Sequence, residues 1–276
     1  MRPLSLSGRA SCSAVLTLVT LSTLWACAPK APALTPEDVR QAFRAHPELV
    51  LDPLSARGDT VFDLSQAGFE EKQRQAKVQG WKEQMASPRQ PVLLPGMPVR
   101  GRTDAPVTMV AYIDLLNPVY AQNAPVLRDL LQARPKNVRI LVKHLPLGFE
   151  ELSQPASALF EALARQNPDL AWRFHDQVLA RQKEFMAVTN PAPAKAREEA
   201  LVALALSLGA EPGALERDRH SQATADRLAA DRAEARRFGL TASPVYLLRG
   251  IILNGQPEME DFLQVLALLG QPRTSP

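Results

Sequence analysis

The spacing of apolar positions changes several times along this chain, and each change predicts an element. Val107-Thr108-Met109-Val110-Ala111-Tyr112-Ile113 is an almost unbroken apolar run of strand length, and Val138-Arg139-Ile140-Leu141-Val142-Lys143-His144 is a second. Such runs predict strands buried on both faces. Between them, Ala124, Leu127 and Leu131 recur at helical spacing within residues 121–133, so strand, helix and strand form a βαβ unit. Four helical stretches follow. Ala156, Leu159, Phe160 and Leu163 mark the first and residues 169–182 the second. Ala200, Leu201, Leu204, Ala205 and Leu208 mark the third, and residues 224–238 form the fourth, closed by Gly239. Val245–Leu248, a turn at Arg249-Gly250 and Ile251–Leu253 predict a hairpin. A final helix over 258–269 turns Phe262, Leu263, Leu266 and Leu269 inward. No repeat of solenoid period is present.

The preceding residues have a different texture. Thr35-Pro36-Glu37-Asp38 predicts a helix start, with Thr35 as N-cap and Pro36 at the first helical position. Val39, Ala42 and Phe43 give that helix a narrow apolar stripe, and Pro47 breaks it before Glu48-Leu49-Val50-Leu51. A second helix is expected from about Ser65 to Met85, with Val78, Trp81 and Met85 on one side, docked or self-associating rather than central to a core. Residues 35–86 thus form a helical extension. Pro88, Pro91, Pro95 and Pro98 make 87–101 a linker.

At the start of the chain, Arg2 and Arg9 precede an uncharged stretch whose apolar part, Ala14 to Trp25, ends at Ala26-Cys27. This pattern predicts a secretory signal peptide over 1–26, because the apolar part is well short of the ~20 residues a membrane span needs. Leu24-Trp25-Ala26-Cys27 also resembles the lipobox of bacterial lipoproteins. That resemblance implies lipid on Cys27 and a Pro/Ala tether over 27–34, facing the periplasm from the cell envelope. Residues 271–276 are a tail.

Composition narrows the function. The 276 residues include two cysteines, Cys12 and Cys27, which excludes a disulfide-stapled scaffold and any later cysteine-ligated metal site. The formal charge of +3 includes Arg2 and Arg9, so the chain from Cys27 carries +1 and has no electrostatic bias toward nucleic acid. His46, His144, His175 and His220 lack metal-ligand spacing, and no metal or cofactor site is expected. Asp114 can be an acid–base group but is better read as a capping carboxylate, and Arg232, Glu234, Arg236 and Arg237 as a solvated face.

Five segments in order resemble the DsbA family of periplasmic thiol oxidoreductases. They are Asp104-Ala105-Pro106-Val107-Thr108, Asp114 through Tyr120, Lys143-His144-Leu145-Pro146-Leu147, Phe174-His175-Asp176, and Gly239 through Pro244. The resemblance implies an α/β thioredoxin fold over 102–270 with a helical insertion at about 150–238 and a cis bond at Ser243-Pro244. The N-terminal helices are similar to the extension of the ScsC-like branch, which implies oligomerisation through 35–86. Where that family carries Cys-x-x-Cys, this chain has Asn117-Pro118-Val119-Tyr120. Thiol–disulfide exchange requires a thiolate, so no catalytic residue is expected, and Asn117 suits an N-cap. A groove of Asn117, Pro118, Val119, Tyr120, Ser243 and Pro244 is then a candidate site for unfolded peptide segments or envelope proteins. The alternative is an idle groove on an oligomeric scaffold or accessory subunit of a thiol–disulfide system.

Overall fold

The computed structural model describes residues 34–270, which leaves the signal-peptide segment, Cys12, the lipidation candidate Cys27 and the 271–276 tail outside the described residues. The described residues divide into two units, one up to residue 65 and one from residue 66.

In the first unit, α1 (Pro36–Ala45) begins with a capping box in which the Thr35 hydroxyl accepts the Asp38 N–H and the Asp38 carboxylate accepts the Thr35 N–H. After the turn at His46-Pro47 comes α2 (Glu48–Ser55), and α3 (Gly58–Ala86) starts seven residues earlier than Ser65. No proline interrupts residues 58–86, so the helix extends back to Gly58. Neither α1 nor α2 buries a residue, and Phe43, Leu49, Leu51, Leu54, Phe62 and Leu64 are exposed.

The second unit is built on a five-stranded sheet of β1 (Val99–Gly101), β2 (Val107–Ile113), β3 (Val138–His144), β4 (Val245–Leu248) and β5 (Ile251–Asn254), in the order β1-β3-β2-β4-β5. Strands β2 and β3 pair in parallel from Val107↔Val138 to Ile113↔His144, joined by α4 (Pro118–Ala133), and the other pairings are antiparallel. Six helices stand between β3 and β4: α5 (Ser153–Gln166), α6 (Pro168–Ala180), α7 (Gln182–Phe185), α8 (Ala194–Ser207), α9 (Pro212–Arg219) and α10 (Gln222–Arg237). The last helix is α11 (Met259–Gly270). This is a mixed α/β thioredoxin-like sheet with a helical insertion. The run in β2 is continuous because its two faces enter different cores. Met109, Ala111 and Ile113 pack with Phe160, Phe174 and Phe262, while Val110 and Tyr112 pack with Ala235, Leu240 and Leu247.

Three elements carried no periodic signal, among them α7, which has only four residues. β1 has three residues and takes its pairing from β3, and α9 is too short to show a stripe. Within this unit, the proline-rich segment before β1 lies against the β4–β5 turn. Arg89 N–H donates to Gly250 O at 3.2 Å, and a Cβ at Gly250, where φ is +87°, would come within 2.2 Å of Arg89 O. With Arg249 also at positive φ, the two-residue hairpin turn suits the twist of its strands and leaves room for this crossing.

The reading of Arg232 to Arg237 as a solvated face is corrected at Glu234, which is 4% exposed. Its carboxylate accepts from Lys143 Nζ and the Tyr112 hydroxyl, and from Val92 N–H at 2.8 Å. Lys143 lies inside β3 and needs a counter-charge, which α10 brings over the sheet. Asp231, one turn earlier, lies 3.7 Å from Lys143 Nζ and accepts the His144 backbone N–H at 3.0 Å.

Candidate functional site

The loop after β2 and the start of α4 are set by short-range hydrogen bonds. Asp114 Oδ1 accepts Leu116 N–H at 2.9 Å, and Asp114 O accepts Asn117 N–H at 3.1 Å, so this carboxylate caps the turn. Asn117 is the N-cap of α4 in an extended conformation, with Oδ1 accepting Val119 N–H at 2.8 Å and Pro118 at the first helical position.

The same side chain reaches the other half of the site. Asn117 Nδ2 donates to Ser243 O at 2.7 Å. The two contacts also fix the amide orientation, since Oδ1 must accept and Nδ2 must donate. The Ser243-Pro244 bond is cis, and Pro244 O accepts Gly255 N–H at 3.1 Å. Ser243 and Pro244 are buried, and the Ser243 hydroxyl has no hydrogen-bond partner among the described residues.

The six groove residues therefore do not form one surface. Pro118 and Val119 are exposed and Asn117 is half-buried, but Tyr120 is 1% exposed and faces the core. One turn of helix separates the cap from position 120, enough to carry the side chain inward. Tyr120 ends an edge-to-face chain of rings that runs through His144, Phe160, Trp172 and His175.

The Tyr120 hydroxyl donates to His175 Nε2 at 2.6 Å, and His175 Nδ1 donates to Asp176 Oδ1 at 2.8 Å. Arg100 of β1 grips both Asp176 oxygens at 2.8 Å and lies 4.2 Å over the Trp172 ring. Burial pushes the Tyr120 phenol up and the His175 imidazole down, so both are neutral at pH 7. Burial opposes ionisation of Asp176 too, but the bonds from His175 and Arg100 outweigh it and hold that carboxyl at about 2. A cavity of about 280 Å³ lies beside this chain, between α4 and α6. The Tyr120 hydroxyl, both His175 nitrogens, the Asp176 carboxylate and the Arg100 guanidinium are spent on one another, and an un-ionised phenol is no nucleophile, so the arrangement orients and packs Tyr120 rather than activating it. The adjacency of His175 and Asp176 was visible in the sequence; their partner on α4 was not.

Asp114 stands three residues before the cap. It is 3% exposed, and burial raises its pKa against the opposing Leu116 N–H bond. A raised carboxyl pKa means the charged form opposes folding, so the cost is present at neutral pH and vanishes as pH falls through the folded pKa. Asp114→Asn keeps the acceptor for Leu116 and removes the charge. It is expected to raise the melting temperature at pH 7, with the gain over wild type shrinking toward pH 4; an unchanged or lower value at pH 7 contradicts the assignment.

No three His, Cys, Asp or Glu side chains are grouped to hold a metal ion among the described residues, and no described helix is long and apolar enough to cross a membrane. The His46 and His220 side chains sit on the surface beside Glu48 and Glu216, whereas His144 is buried and bonded to Glu161 at 3.0 Å.

Residues 94–267 match the family model described as thioredoxin. A thioredoxin-like oxidoreductase from Silicibacter pomeroyi superposes with a TM-score of 0.54 at 21% identity, over 64% of this chain and 93% of that one. Proteus mirabilis ScsC in a transitional conformation gives a TM-score of 0.52 at 16% identity, over 85% of this chain and 98% of that one. Among curated proteins, the Na(+)/H(+) antiporter NhaA 3 of Salinispora tropica is 40% identical over 88 residues, 32% of this chain. The chain spans 13% of the length of that relative.

Proposed function

The chain belongs to the thioredoxin family, and from that premise we propose that it is a binding module of the bacterial cell envelope without thiol–disulfide activity. In this reading it is anchored by lipid on Cys27 and takes extended peptide segments or partner proteins at the mouth between the start of α4 and the Ser243-Pro244 loop. The observation that carries the reading is the occupant of the α4 N-terminus. Helix N-termini lower the pKa of a thiol placed there, and the side chain at this cap is the carboxamide of Asn117. Residues 28–276 contain no cysteine, so no thiol is at hand for a mixed disulfide. Exposed Pro118 and Val119 beside the cap supply an apolar lip for a bound segment.

One preparation tests both parts: the full chain expressed in a bacterial host and extracted from its membranes. The expected results are a mature N-terminus at diacylated Cys27 by mass spectrometry and insulin reduction at the rate of the protein-free control. A faster rate that survives repurification overturns the inactive reading, and an unmodified Cys27 or another N-terminus overturns the anchor.

A second reading is favoured by Phe43, Leu49, Leu51, Leu54, Phe62 and Leu64, which α1, α2 and the start of α3 leave exposed. Here residues 35–86 join copies of the chain, and the domain is an oligomeric scaffold or accessory subunit of a periplasmic thiol–disulfide system. Sedimentation of the chain lacking residues 35–64 separates the two, because the scaffold needs those residues to associate and the groove does not.

A further inference from the structure

The peptide-binding reading, on which this inference rests, requires a backbone acceptor at the mouth of the groove, and the acceptor there is already taken. We propose that Asn117 is a built-in occupant of the groove: its carboxamide holds the Ser243 carbonyl that an extended partner strand would use, so a partner binds by displacing it.

A side-chain carboxamide carries the same N–H donor as a peptide bond, and Asn117 Nδ2 lies 2.7 Å from Ser243 O, across 126 residues of sequence. The other end of the carboxamide caps Val119 N–H at 2.8 Å, so both ends are spent and the group bridges the two walls of the mouth. The neighbouring carbonyl, Pro244 O, is taken by Gly255 N–H at 3.1 Å. The buried Ser243 hydroxyl has no partner among the described residues, which leaves a donor unused beside the clasped carbonyl.

These groups define the chemistry of the occupant. It is an extended backbone segment that brings one N–H for Ser243 O and one carbonyl within reach of the Ser243 hydroxyl, as in strand addition. Exchange of one amide N–H for another on the same carbonyl is close to neutral in bond energy. The intramolecular donor nevertheless wins at low partner concentration, because its effective concentration is set by the fold.

The test separates the clasp from the cap. Asn117→Ser keeps a preferred N-cap oxygen, but its shorter side chain cannot cap Val119 and reach Ser243 O together. Asn117→Asp keeps the cap, has no donor, and turns a charge toward the carbonyl. Binding of fluorescently labelled, reduced and alkylated α-lactalbumin to the full chain is followed by anisotropy, with circular dichroism to confirm that each variant folds. Both variants are expected to bind about tenfold more tightly than wild type, the equivalent of one hydrogen bond no longer displaced. If the folded variants bind no more tightly than a wild type that does bind, the occupancy is overturned and the peptide-binding reading stands. If none of the three binds, the peptide-binding reading fails and takes the occupancy with it.

Discussion

Replacing Lys143 by methionine is expected to lower the free energy of unfolding by about 3–5 kcal/mol, the usual cost of removing one partner from a buried ion pair. Lys143 is 2% exposed, and its ammonium touches Glu234 and lies 3.7 Å from Asp231. Methionine fills the same space, so the loss reports charge rather than a cavity. The carboxylates left behind keep Arg227 at 3.7 Å from Asp231 and Arg237 at 3.3 Å from Glu234, which limits the damage without cancelling it. Burial already raises the Asp231 pKa. Loss of the nearby ammonium raises it further, so the deficit of the variant shrinks as pH falls and the carboxyls protonate.

Urea denaturation at pH 7 and pH 5 measures this. Equal stabilities at pH 7 would mean that the lysine is not compensating those carboxylates. The double replacement Lys143→Met with Glu234→Met is expected to recover only part of the loss, because Tyr112 and Val92 N–H lose their acceptor.

Trp81→Ala is expected to cost about 3–5 kcal/mol by removal of a large buried ring. Trp81 is the one buried residue of α3, 6% exposed, with Val78 and Met85 partly buried beside it. Two polar ties hold the same stretch: Gln84 Oε1 accepts Ile252 N–H at 2.8 Å, and Lys77 reaches Asp261 at 3.2 Å. The ion pair is exposed and contributes little, so the ring carries most of the attachment. Hydrogen exchange in the variant is expected to accelerate first in residues 76–86 and only then in the sheet. Uniform acceleration would show that this end of α3 unfolds together with the whole domain.

These two residues also mark the limits of what the chain shows on its face. Trp81 stood out, because a tryptophan at helical spacing from Val78 and Met85 announces a docked side whatever it docks on. Lys143 and Glu234 did not. Each is a charged residue in a segment where charge ordinarily means solvent, and 91 residues separate them. The candidate site divides in the same way. Asn117 was readable as an N-cap because capping is settled within three residues of chain. The inward turn of Tyr120 onto His175, 55 residues away, and the reach of Asn117 to Ser243 were not.

The sequence by itself therefore determined what local physics governs. It placed β2 and β3, the hairpin turn at Arg249-Gly250, the cap of α4 and the order of elements that makes a thioredoxin-like fold, since periodicity, turn chemistry and capping act over a few residues. It also determined that Asn117 and Tyr120 stand at the start of α4, as its cap and in its first turn. Tertiary structure alone decided which buried charges find partners, which groove residues reach the surface and which hydrogen bond closes the mouth. Those outcomes depend on groups brought together by folding from distant parts of the chain, where a residue's own neighbours carry no record of its partner.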